Sequence, residues 1–133
     1  MTRLFLFFGL LFSMNLHAQN RNISTFQDFI KTEKFVSTTS LSEQFLNPIV
    51  EKELNRLAST FEFVSNGKNV EIKHYHYAMT KFVQSLEVYE KDLSITDKTI
   101  IANYIEQLMD LVGLQSSNGI LNKFVYGFDP TST

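Results

Sequence analysis

Between Ile72 and Leu93 the residues Ile72, Tyr75, Met79, Phe82, Leu86, Tyr89 and Leu93 recur at alternating spacings of three and four. That period places all of them on one face of a helix, whereas a strand would split them between two faces. A second stripe, Val50, Leu54, Leu57, Phe61 and Val64, has the same rhythm. A third runs through Ile101, Tyr104, Leu108 and Leu111 and is broadened by Ile100, Ile105 and Val112. A helix with one apolar stripe must bury it against another element. Three such stripes on short connections predict an all-α fold, a small antiparallel helical bundle of four to five helices. Each run lasts only two or three heptads, so an intramolecular bundle is expected rather than a coiled coil.

The segment ends carry their own signals. Residues 24–36 predict a short first helix, with Ser24 and Gln27 in capping-box spacing and Phe26, Phe29 and Ile30 on one side. Ser40 and Glu43 repeat that spacing after a polar break at Thr38 and Thr39. Either a helix starts near Ser40 and kinks at Pro48, or a turn precedes a helix capped by Asn47. The segment SNGKN, residues 65–69, reverses the chain, with Gly67 free to take a positive backbone angle. The alternation from residue 61 to residue 77 also allows a β-hairpin, with Val70, Ile72, His74 and His76 on one face; the helix-turn-helix reading is preferred. Ser94 with Asp97, or Thr96 alone, caps the next helix, and Gly113 fits the position just past its end. Ile120, Leu121, Phe124, Val125 and Phe128 form a short last helix closed by Gly127 and Pro130.

The amino terminus does not belong to this pattern. Arg3 is followed by an apolar run from Leu4 to Phe12 and a polar-to-small passage ending at Ala18, the layout of a cleaved export signal. The run is too short to span a bilayer, which takes about 20 apolar residues. The ending Leu16-His17-Ala18-Gln19 resembles the signal-peptide endings of exported bacterial proteins. Residues 1–18 are therefore expected to be removed. Residues 19–133 then form a single helical domain with a short flexible tail, in the periplasm or secreted. There is no cysteine at the cleavage site to carry a lipid and no later span, so no stable membrane anchor is expected.

Removal of residues 1–18 takes away one arginine and no acidic residue, moving the formal charge from −2 to −3. A mildly acidic chain without a basic block is a poor ligand for phosphates, so no nucleic acid partner is expected. The chain has no cysteine. Small exported domains often rely on disulfides, so this one depends on packing. Nine of its 13 phenylalanines and all five tyrosines lie after residue 18 and supply much of the area to be buried.

Motifs of catalysis are absent. His74 and His76 are two apart, which on a helix points them in different directions. Glu71 at three from His74 is the only adjacent helper, too little for a zinc site. Serines and threonines fall where caps and turns need them, with no Gly-x-Ser-x-Gly elbow. The carboxylates lie largely off the stripes, and Glu87 with Lys91 reads as a helix-surface pair. The five glycines form no phosphate-binding loop. No cofactor and no metal is expected.

What remains is surface. Tyr77 falls off its helix's stripe, four residues from both Lys73 and Lys81, and Phe63 departs from the preceding stripe. Exposed aromatics among charges mark interfaces. Phe63, His74, His76 and Tyr77 are therefore the expected partner surface. The sequence points to a non-enzymatic exported binding protein with a protein partner, the immunity or inhibitor type included, as a monomer or weak homo-oligomer. An accessory subunit of an envelope assembly and an enzyme using His74 or His76 are the alternatives. Replacing Phe82 by alanine is expected to cost about 3 to 5 kcal/mol in denaturant unfolding, while Tyr77→Ala leaves the midpoint nearly unchanged and weakens partner binding.

Overall fold

The computed structural model describes residues 24–36, 41 and 44–128. They form helices α1 (Phe26–Lys31), α2 (Asn47–Ser65) and α3 (Ile72–Ser85), a 3-10 segment η1 (Glu87–Asp92), and helices α4 (Ile95–Val112) and α5 (Ile120–Tyr126). The fold is all-helical, with no strand among the described residues. The expected export signal, the Ser40 and Glu43 pair, Pro130 and the carboxy-terminal tail lie outside them.

Helix α2 packs on α3, α3 on α5, α5 on α4 and α4 on α2, closing a ring of four. Helix α1 lies over the α2–α4 edge and touches both. The three stripes meet in the centre, where Val50, Leu54, Phe61, Met79, Ile101, Ile105 and Leu108 have no solvent exposure. Burying each side chain of this size stabilises the fold by about 1.5 to 3 kcal/mol. Of the longest stripe, Ile72 and Tyr89 stay outside the buried set, Ile72 being largely exposed.

The first helix is shorter than its sequence suggests, and Thr25, not Ser24, caps it by accepting from the Asp28 N–H. It stops at Lys31 because of Lys34. The Lys34 ammonium reaches back to donate to the carbonyls of Phe29 (2.6 Å) and Thr32 (3.0 Å) and across to Asn55 Oδ1 on α2 (2.8 Å). All three ammonium protons are thereby used, and the Phe29 carbonyl is no longer left to the next turn of helix. The chain then reverses through Phe35, which has a positive φ of 64° and is buried. The Phe35 N–H donates to the Tyr104 hydroxyl (3.2 Å), and the rings of Phe29 and Phe35 both stand edge-on to Tyr104. Burial pushes the Tyr104 hydroxyl pKa up, against a smaller opposite effect of the Phe35 backbone.

Helix α2 begins at Asn47 with Pro48 in its first turn, and the kinked alternative is not what forms. Leu46 occupies the cap position, and the Asn47 side-chain oxygen makes no hydrogen bond, so Asn47 does not act as the cap. Residues 61–77 form helix, turn and helix, not a hairpin. In the turn it is Asn69, not Gly67, that takes the positive φ. The Tyr75 ring packs on Phe61 at 4.9 Å and its hydroxyl meets Ser65 Oγ at 2.9 Å, closing the α2–α3 pair.

Helix α3 ends earlier than the unbroken stripe predicts. The Ser85 hydroxyl donates to the Phe82 carbonyl (2.6 Å), the acceptor that would otherwise receive the Leu86 N–H, and Leu86 bonds to Val83 instead. The tightened turn continues as η1, and Leu86 and Leu93 still reach the core. From this stretch Glu90 pairs with Lys98 of α4 at 2.6 Å.

Helix α4 opens with the expected capping box. The Asp97 N–H donates to Ser94 Oγ (3.0 Å) and the Ser94 N–H to Asp97 Oδ2 (3.1 Å). The other oxygen of Asp97 accepts from the Leu41 N–H at 3.0 Å, and both residues are buried. Gly113 ends the helix at φ 71°, and Gly127 ends α5 at φ 85°.

Asp97→Ala removes a cap and strands a buried N–H, at an expected cost of about 2 to 4 kcal/mol in urea unfolding; Asp97→Asn, which keeps one acceptor oxygen, costs less. Lys34 gives a pH signature. Burial pushes its pKa from the ordinary 10.5 down to about 8, partly offset by Glu51. Between those values the unfolded chain holds the extra proton, so stability rises with pH across that window. The rise is expected in urea midpoints of the wild type and absent in Lys34→Met.

Candidate functional site: a basic, aromatic-walled groove

The outer edge of the α2–α3 pair forms an open groove of about 1030 Å³. Its floor is Leu57, Val64, Ala78 and Phe82, the flank of the two core stripes. Its walls carry Phe63 from α2 and Tyr77 from α3, which are 81% and 65% exposed. Exposure of that order is unusual for two rings facing one concavity, since rings of this size are normally the best core material.

The rim is cationic. Arg56, Lys73 and Lys81 line the groove with His74, against the single carboxylate of Glu53. The Lys81 ammonium lies 5.8 Å from the centre of the Tyr77 ring, within cation–π range. Arg56 approaches Glu53 only to 3.9 Å with its side chain 65% exposed, an ion pair worth little in water. Lys73 meets Glu71 at 3.3 Å, also in solvent. The hydroxyls of Thr60 and Ser85 face the groove but donate to carbonyls of their own helices, Arg56 and Phe82. A concavity of this kind can seat an apolar group between two rings and neutralise anionic groups along its edge.

Of the four residues expected to share a surface, Phe63, His74 and Tyr77 line the groove together. His76 does not join them. It is half-buried, and its Nε2 meets the Ser116 carbonyl at 2.8 Å, pinning the α4–α5 connection to α3. His74 and Glu71 pair at the start of α3: the His74 N–H donates to the Glu71 backbone carbonyl at 3.0 Å, and His74 Nδ1 accepts from the Glu71 N–H at 3.3 Å. No group of three histidines, aspartates or glutamates that could hold a metal occurs among the described residues. Arg56 and Thr60 escaped the sequence reading. Their signal is a second stripe, Arg56, Thr60 and Phe63 at spacings of four and three, running beside the core stripe of α2.

A second concavity of about 910 Å³ lies where α3, η1 and α5 meet, with Glu87 and Glu90 facing Lys123 and Phe128. Its mixed charges and single exposed ring, Phe128, make it the weaker site. No described helix is long and apolar enough to cross a membrane.

Fold and groove together define a small helical-bundle domain with an exposed, aromatic-walled groove on one helix pair. The chain belongs to the family described as a domain of unknown function, DUF4844, which matches residues 17–129. No curated protein and no solved structure matches it.

Proposed function

We propose that this chain is an exported, non-enzymatic binding module that engages a protein partner through the α2–α3 groove. The observation that carries this reading is the pair of exposed rings, Phe63 and Tyr77, set on rigid helices around an apolar floor with charges at the rim. Interfaces have this anatomy: aromatic anchors at the centre and a polar, hydrated edge. The histidines support it as well, because His74 serves a helix cap and His76 a loop carbonyl, which gives each a structural occupation. Export is supported by the layout of residues 1–18 and by the family match, whose start at residue 17 falls beside the expected cleavage point. Periplasmic and secreted locations are both compatible with that layout.

Two measurements on cells that make the protein test the proposal. The intact mass of the protein recovered from the envelope or medium is expected to correspond to a chain starting at Gln19; an uncleaved chain in the cytosol refutes export. Affinity capture from the envelope is expected to retain a stoichiometric protein on the wild type and to lose it with a Phe63→Ala, Tyr77→Ala variant of matched helicity. Equal retention by both forms removes the groove from the interface.

A further inference from the structure

We infer that the groove seats one helix of a protein partner, amphipathic and acidic, of about three turns. This rests on the binding reading above and names the chemistry of the partner.

Length is the first argument. The groove follows α2 from Glu53 to Val64 and α3 from Lys73 to Ser85. At about 1.5 Å per residue each path is about 17 Å long. Helices α2 and α3 form a hairpin on a short turn, so the two paths run side by side. A straight trough of that length between two helices matches three turns of a third helix, with apolar anchors at positions i, i+3 or i+4, and i+7.

The second argument is a precedent within the fold. The α2–α4 edge already carries a helix laid across it: α1, whose Phe29 is fully buried there. Six residues are too few to hold a helix by themselves, so α1 is kept helical by the edge it covers. The α2–α3 edge is likewise a seam between two packed helices, and its rings stay in solvent. No described element covers it.

Charge selects the occupant. The whole chain is acidic, at −2, yet Arg56, Lys73 and Lys81 gather on this edge against two carboxylates, Glu53 and Glu71, both in solvent-exposed pairs that leave the edge with an excess of positive charge. A cationic rim on an acidic protein steers an acidic partner toward that face and disfavours basic ones. Carboxylates on the flanks of the incoming helix would meet these three cations, while its apolar stripe lies between Phe63 and Tyr77.

The probe is an end-blocked synthetic helix of twelve residues with leucine at positions 1, 4, 8 and 11 and glutamate and alanine elsewhere. A matched peptide carries lysine for glutamate. Binding to the protein as isolated from its own cells is measured by calorimetry at physiological salt. The acidic peptide is expected to bind at least tenfold more tightly than the basic one. Tyr77→Ala should weaken it about tenfold or more, and Lys73→Glu with Lys81→Glu should reverse the preference; all three changes are on exposed side chains that leave the core untouched. Equal binding of both peptides, or of neither, overturns the inference. So does binding of laurate in place of the acidic peptide with the same dependence on Tyr77, which would make the groove a site for anionic amphiphiles. If the peptides fail while envelope capture still depends on Phe63 and Tyr77, the binding module stands and the helical, acidic partner falls.

Discussion

Asp97 is where the halves of this small bundle are tied. One of its carboxylate oxygens receives the Ser94 N–H and so starts α4, the helix of the ring with the most buried residues. The other receives the Leu41 N–H from the connection between α1 and α2, 56 residues away in sequence. A carboxylate 2% exposed must have its acceptor capacity filled, and here the partners come from two parts of the chain far apart in sequence. In a chain without cysteine, this long-range hydrogen bond fixes a loop of the kind that a disulfide often holds in small secreted domains. Lys34 plays the matching role for α1, joining its last carbonyls to Asn55 of α2.

Once these ties hold the ring closed, the groove follows. Phe63 lies one helical face away from Phe61, which is fully buried, and Tyr77 lies beside Ala78 and two residues from Tyr75 on the core side of α3. The same two helices thus present a packed face inward and a concave aromatic face outward. The Tyr75–Phe61 and Tyr75–Ser65 contacts hold their spacing at the hairpin end. A recognition surface on paired helices loses little conformational freedom on binding, because its side chains are mounted on backbone that is already ordered.

Much of this was legible in the sequence, and the parts that were not share a cause. The stripes predicted α2, α3 and α4, because a period of three and four reports burial directly, and Gly113 and the Ser94–Asp97 pair marked the ends of α4. The failures lie where a side chain competes with the backbone for a carbonyl. Lys34 ends α1 by taking the Phe29 carbonyl, and Ser85 ends α3 by taking that of Phe82. Neither event alters hydrophobic periodicity, so neither could be read from it. The groove was half legible: Phe63 and Tyr77 stood out as departures from their stripes, but their meeting depends on how α2 and α3 pack. His76 looked like their neighbour and is instead committed to the Ser116 carbonyl on the other side of α3.

The groove is built from two kinds of position. Its floor, Leu57, Val64, Ala78 and Phe82, is shared with or borders the core, so any change there is felt by the whole bundle. Its walls and rim, Phe63, Tyr77, Arg56, Lys73 and Lys81, are exposed, and their contacts are with one another or with surface carboxylates. Mutation can therefore reletter the rim at almost no cost in folding while the trough beneath keeps its shape. For the binding role proposed above, a scaffold partitioned in this way would let specificity drift quickly under a constant fold, recorded in a handful of side chains rather than in the architecture.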